Sequence, residues 1–316
     1  MVEPSPEKDG VESVSLDKDG KKSRLDSGEK YSTSVKWDGK PFEALIFEGG
    51  GTKGIVYGGA TKRLAEAGLM DKVKFFAGTS AGAQTAALCA VGYTGDELAE
   101  VMGNLPWSKL LDKDSYCGCF GCFPNMYRIY SQYGICRGEE LRRYLDMLIE
   151  KKAGKPGYTL GELYKEKGVT LRLGACNVTT RRFEMLDYIG HPNMPVSTAA
   201  RASSSIPVVY VPVSYTTTKT GVENLYVDGG LEGNIPTKAF PRKRALAFNL
   251  MTLSDWSKDG GKPIMPNSFM KFLTVLVDMV MNSAQATGGF NDDDDPDLKL
   301  QQDGIHVVKI DCGSHG

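Results

Sequence analysis

The sequence predicts an α/β fold with a largely parallel sheet covered on both faces. Three observations carry that expectation. Short apolar runs alternate along the chain with amphipathic stretches of helical period, as strands and crossover helices do. Two of the runs, Ala44–Phe47 and Val73–Ala77, end in glycine-bearing turns that open straight into helical patterns. No internal repeat suggests a solenoid or a propeller instead.

The elements follow in order. Residues 1–38 alternate Lys, Asp, Glu, Ser and Gly with scattered Val and Leu. They offer too little apolar surface to offset the entropy of ordering, so a disordered, solvated tail is expected. The folded domain is expected over 39–312, with order beginning at Pro41. Ala44–Phe47 reads as a buried parallel strand, and Ile55, Gly59, Leu64 and Leu69 outline a helix that stops at Gly68. Val73–Ala77 reads as a second strand and Ala81–Val91 as a closely packed helix of small residues. Asp96–Met102 and Glu139–Lys152 are amphipathic. Strands are expected at Val169–Val178, Arg182–Leu186, Leu225–Val227, Ala245–Leu250 and Ile305–Ile310. A long helix over about Asn267–Ala284 precedes the last of them.

Composition narrows the function. The 316 residues carry 38 basic and 39 acidic side chains, a formal charge of −1, so no basic footprint for nucleic acid exists. The N-terminus lacks the basic and apolar regions of a secretory signal. The longest apolar stretch, Phe269–Met281, is interrupted by Lys271 and Asp278 and is too short to span a bilayer. Seven Cys are too sparse for a disulfide scaffold. A reducing, cytoplasmic setting is expected, with contact at membrane surfaces at most.

Much of the chemistry sits in glycine clusters. Gly78-Thr79-Ser80-Ala81-Gly82 lies between an expected strand and an expected helix. Small neighbours let a serine hydroxyl project from such a sharp turn, and the following helix aims its N–H groups at the same spot. Chance alone yields roughly 0.3 such patterns in a chain with this glycine content, so the strand-to-helix setting carries the signal. Gly49-Gly50-Gly51-Thr52-Lys53-Gly54 follows the first strand. Its amides can converge on an anion, either a phosphate or the oxyanion of a tetrahedral intermediate. The spacing departs from a Walker A loop. The formal Gly49-x-Gly51-x-x-Gly54 match lacks the ribose-binding acid a dinucleotide site needs.

A serine nucleophile needs a base, and the chain has only three histidines: His191, His306 and His315. His306 lies inside an expected strand, His315 is one residue from the end, and His191 precedes Pro192 in a loop. A triad using His306 or His315 retains the Ser…Asp…His order of α/β-hydrolases. Asp228-Gly229-Gly230, at the end of Leu225–Val227, offers another solution in which the carboxylate itself takes the proton from Ser80. At its reference pKa near 3.9 that carboxylate is ionised but weakly basic.

The order Gly49–Gly54, Gly78–Gly82, Asp228–Gly230 resembles the patatin-like phospholipase family. So do the segment from Ala199 through Ser203, Ser204 and Ser205 to Pro207, and the Asn-x-Pro that ends at Pro236. The likeness extends over about Phe42–Cys312. It implies a three-layer α/β/α sandwich of patatin type and a lipid acyl hydrolase that uses a Ser-Asp dyad without histidine, metal or cofactor. By that resemblance Ser80 is the nucleophile, Asp228 the base, and Gly50, Gly51 and Thr52 the oxyanion hole. Gly49, Lys53, Gly54, Gly78, Gly82, Gly229 and Gly230 complete the motifs. Lys53 departs from the family's more usual Arg, keeping the charge and losing the planar fork. The partners implied are a lipid substrate and a peripheral membrane surface. A protein activator and a catalytically vestigial, lipid-binding scaffold both stay open.

Two stretches stand apart. An insert at about 105–136 interleaves Trp107, Tyr116, Phe120, Phe123, Tyr127, Tyr130 and Tyr133 with Cys117, Cys119, Cys122 and Cys136. It suits a lid or an interfacial contact, or a small satellite core under a long loop. The cysteine spacing is not that of paired zinc knuckles, which leaves free buried thiols as the alternative to a zinc site. Asp292–Asp295 lacks the alternating ligands, central Gly and closing Glu of a calcium loop, and reads as a solvated acidic loop.

Overall fold

The computed structural model describes residues 14–16, 22–24, 40–112, 123–217, 221–241, 243–251, 275–276, 279 and 305–312. The chain forms two units, 1–39 and 40–316. In the first, β1 (Val14–Leu16) and β2 (Lys22–Arg24) pair antiparallel; the rest of the expected tail lies outside the described residues.

The second unit is a three-layer α/β/α sandwich around an eight-stranded sheet. It opens with β3 (Ala44–Phe47), α1 (Val56–Glu66), β4 (Phe75–Thr79), α2 (Ala81–Val91) and α3 (Gly95–Gly103). Alternation along β3 sorts its side chains. Leu45 and Phe47 enter the larger core beneath α2, whereas Ala44 and Ile46 enter a smaller one with Phe240 and Ala247. β4 starts two residues later than the apolar run suggests. Val73 is tied into a turn by its N–H to the Met70 carbonyl, and pairing with β3 begins only at Phe75. α2 is buried at nine of its eleven positions, which is why it is built from Ala, Gly and Thr. α3 begins with a capping box between Thr94 and Glu97.

The insert region contributes α4 (Trp107–Leu110), α5 (Phe123–Gln132) and the short β5 (Gly134–Cys136). Then follow α6 (Glu139–Ala153), α7 (Leu160–Lys167), β6 (Thr170–Asn177), β7 (Arg182–Leu186) and α8 (Val196–Ser203). α7 has a second Thr-x-x-Glu box, Thr159 with Glu162. The chain ends with β8 (Val208–Tyr210), β9 (Val213–Thr216), β10 (Glu223–Asp228), β11 (Ala245–Met251) and β12 (Ile305–Asp311). β8 leaves the main sheet and pairs with β5. Only residues 275–276 and 279 of the expected helix over Asn267–Ala284 are described, and they are helical; Asp292–Asp295 lie outside the described residues.

β12, β11, β3, β4 and β6 run parallel. The registers on β6 position the site. β4 pairs with Thr170–Gly174, while β10 pairs antiparallel with Ala175–Asn177. β7 runs along Leu173–Asn177 and so occupies the opposite edge throughout. β4 and β10 therefore share one edge of β6, end to end and pointing at each other. Thr79 stands opposite Gly174, and Asp228 opposite Ala175.

Candidate active site

Ser80 is the residue after β4, where the chain turns into α2. Its backbone is strained, with φ 55° and ψ −123°. Glycine makes the turn sterically feasible. A Cβ on Gly82 would lie 2.3 Å from the Phe47 carbonyl oxygen, and one on Gly78 2.2 Å from the Gly82 oxygen. The elbow can thus pack directly against the end of β3, and Ser80 is buried.

Asp228 closes β10 and is 1% exposed. The Ser80 hydroxyl donates to Asp228 Oδ2 at 2.6 Å, and Gly230 N–H donates to Oδ1 at 2.8 Å. Gly229 lets the turn after β10 lie against β6, where a Cβ would come 2.4 Å from the Gly174 oxygen. Burial pushes the Asp228 carboxyl up to about 6, partly offset by the hydrogen bonds from Ser80 and Gly230. The site thus differs from the solvated reference: an ionised Asp228 is a considerably stronger base than a carboxylate near 3.9.

The glycine loop lies alongside. Gly50 is half-buried and precedes a short 3-10 turn from Gly51 to Ile55, with Gly51 in the left-handed region at φ 54°. The amides at the start of such a turn have no preceding carbonyl of the turn to bond. Gly51, Thr52 and Lys53 are exposed, whereas Gly54 is buried against Ala81. The base of the loop is held by residues that sequence reasoning did not single out. Gly49 N–H donates to the Asn234 carbonyl, and Asn234 Nδ2 donates to Glu48 Oε1 at 3.0 Å and to the Gly49 carbonyl at 3.1 Å. Glu48 Oε2 accepts from Leu250 N–H at 2.6 Å. Asn234 was visible only as part of the Asn-x-Pro resemblance, and Glu48 only as an acid at a strand end.

Sequence reasoning also missed the role of Ser203, Ser204 and Ser205. Ser80 N–H donates to Ser203 Oγ, Ser204 Oγ donates to the Ser80 carbonyl, and Asp228 N–H donates to the Ser205 carbonyl. Their signal was a run of three serines between a helix of small residues and Pro207.

The histidines are elsewhere. His306 is level with Leu246, hence with Leu45 and Phe76. That is three strands and about 14 Å across the sheet from β4, and about 13 Å short of Ser80 along it. Its ring packs edge-on against Phe42. His191 is buried, its Nε2 within 3.1 Å of the Tyr226 hydroxyl, and burial lowers its pKa. His315 lies outside the described residues, as do Cys117, Cys119 and Cys122. Cys136 is buried. Among the described residues no cluster of three or more His, Cys, Asp or Glu could hold a metal, and no helix is long and apolar enough to cross a membrane. Tyr127, Tyr130 and Tyr133 are 72%, 86% and 61% exposed. These three do not form the satellite core that was one reading of the insert.

Ser80 on its elbow and the buried Asp228 meet at facing strand ends of an α/β/α sandwich, and comparison with known proteins gives the class. The chain belongs to the patatin-like phospholipase family, whose model matches residues 45–241. Membership makes it a lipid hydrolase of the esterase type. Uncharacterized protein YqhO of Bacillus subtilis (strain 168) is 32% identical over 237 residues, covering 72% of this chain and 76% of YqhO. Probable lipid hydrolase 463L of Invertebrate iridescent virus 6 is 26% identical over 214 residues, 66% of each protein. Among solved structures, VipD from Legionella pneumophila aligns over 100% of this chain and 68% of its own, at 17% identity and a TM-score of 0.49.

Proposed function

We propose that the protein releases fatty acids from lipid esters by a Ser80–Asp228 dyad. The observation that carries the reading is the 2.6 Å bond from the Ser80 hydroxyl to a fully buried carboxylate with its pKa pushed up to about 6. As Ser80 Oγ attacks the acyl carbonyl, its proton passes to Asp228. The amides of Gly50, Gly51 and Thr52 receive the oxyanion. Collapse expels the alcohol, which leaves with the proton from Asp228, and an acyl-Ser80 ester remains. Asp228 then deprotonates a water, whose attack frees the fatty acid and restores Ser80. No histidine enters the cycle, in keeping with the distance of His306. The base must be ionised, so turnover is expected to fall as pH drops through about 6.

The lipid is met at a membrane surface. Tyr127, Tyr130 and Tyr133 project from one stretch of α5 and the residue after it, and tyrosine is at ease where one end is apolar and the other wet. Replacing all three by Ser is expected to cut release from vesicles several-fold while leaving hydrolysis of a soluble ester unchanged. Equal losses on both substrates would remove the membrane role. The test of the whole reading is fatty acid release from mixed phospholipid vesicles and from a short-chain nitrophenyl ester, wild type beside Ser80→Ala. Release from either that needs Ser80 supports it. Release that survives in Ser80→Ala, or an inert wild type, refutes it.

A further inference from the structure

Ser203 and Ser204 end α8 and are 0% and 4% exposed. The hydroxyl of each reaches the backbone of Ser80. Ser203 Oγ accepts from Ser80 N–H at 3.0 Å and passes its own proton to the Gly174 carbonyl. Ser204 Oγ shares its proton between the Ser80 carbonyl at 3.1 Å and the Ala200 carbonyl at 2.9 Å, and accepts from Gln84 Nε2 at 3.0 Å. The ordinary partner of the first is missing for a physical reason: at φ 55° the Ser80 amide falls outside both the strand ladder and the helix. The next residue, Ser205, holds the base, because its carbonyl accepts from Asp228 N–H at 2.9 Å. The Ser205 hydroxyl donates to the Arg201 carbonyl at 2.8 Å and accepts from the Arg201 guanidinium. That buried guanidinium also donates to the carbonyls of Gly138 at 2.9 Å and Val211 at 2.8 Å, which fixes the end of α8 from outside the site.

We infer that Ser203 and Ser204 are positioning residues, which hold the strained backbone of Ser80 so that its hydroxyl stays aimed at Asp228. The inference rests on the dyad reading above and extends it to two side chains that touch neither substrate nor the reacting atoms. Without the Ser203 hydroxyl, the Ser80 amide and the Gly174 carbonyl are left unpaired in a buried place. The elbow then relaxes toward a less strained turn, and the hydroxyl leaves its line to Asp228.

The test measures the rate at which a fluorophosphonate labels Ser80, kcat and KM on the soluble nitrophenyl ester, and Tm. It uses wild type, Ser80→Ala, Ser203→Ala, Ser203→Thr and Ser204→Ala. Ser203→Ala is expected to lose about 10–100-fold in both labelling rate and kcat, with KM unchanged. Ser204→Ala loses less, because the Ala83 and Gln84 amides still donate to the Ser80 carbonyl. Ser203→Thr keeps the hydroxyl but crowds a closed site, so it lowers Tm yet recovers most of kcat. Both alanine variants labelling Ser80 at the wild-type rate, with only Tm reduced, would overturn the inference and leave the dyad standing. Failure of the wild type itself to label at Ser80 would instead overturn the dyad reading and the positioning role with it. If Ser203→Thr does not fold, the two alanine variants still decide.

Discussion

Ser80 and Asp228 touch, yet they are kept in readiness in opposite ways. Ser80 sits on a backbone that non-glycine residues rarely adopt, with both peptide groups held by serine hydroxyls. Asp228 has ordinary extended geometry, φ −53° and ψ 130°, and its unfavourable energy lies in a charge buried with no cation among the described residues in hydrogen-bond reach. One half stores conformational strain and the other desolvation. The difference teaches that an active site can spread its cost over two kinds of energy, only one of which responds to pH.

The largest effect that would break this comparison is on turnover. Ser80→Ala and Asp228→Asn are each expected to lower kcat by about 10⁴-fold or more, as steady-state assays on the nitrophenyl ester would record. A residual rate within tenfold of wild type in either variant would separate the two halves. The next effect is on stability. The Asp228 carboxyl has a folded pKa of about 6, above its unfolded value near 3.8. The wild type therefore loses stability as pH rises through that window, up to about 3 kcal/mol. Asp228→Asn escapes the loss, so its advantage in denaturant melts is expected to be full at pH 8 and to vanish below about pH 4. An advantage independent of pH would contradict the desolvation account. Ser80→Gly and Ser80→Ala lose the same hydroxyl bond to Asp228, but only glycine relieves the backbone strain, so Ser80→Gly is expected to be more stable than Ser80→Ala by about 1 kcal/mol at every pH. Last and smallest, His306→Asn is expected to leave turnover on the ester within about twofold of wild type.

The two halves were also unequally legible. The Ser80 elbow is local: strand, small residues, glycine and helix follow one another, so Ala81–Val91 could be bounded as a helix from sequence alone. Asp228 could be read as a strand-end acid. Its meeting with Ser80 depends on antiparallel pairing of β10 with the far half of β6, which no local pattern encodes. β5 and β8, three residues each, pair with each other apart from the main sheet and are too short to show a period. α7 carried a legible Thr-x-x-Glu start that the reading passed over. Ser203–Ser205 were visible only as part of the family resemblance, and their bonds to Ser80 and Asp228 exist only after α8 has docked on α2 and β10.

Because β4 and β10 meet at the Gly174–Ala175 seam, the two groups of the proposed dyad come from positions 148 residues apart. During synthesis the growing chain carries Ser80 through 148 further residues before Asp228 is made. Helices such as α2 can form early from local contacts, whereas the seam closes only across a long loop. On the proposed dyad, the nascent chain is expected to be inert until that seam has closed. On refolding from denaturant, recovery of ester turnover should lag recovery of helical signal, making activity a clock for the closure of one seam.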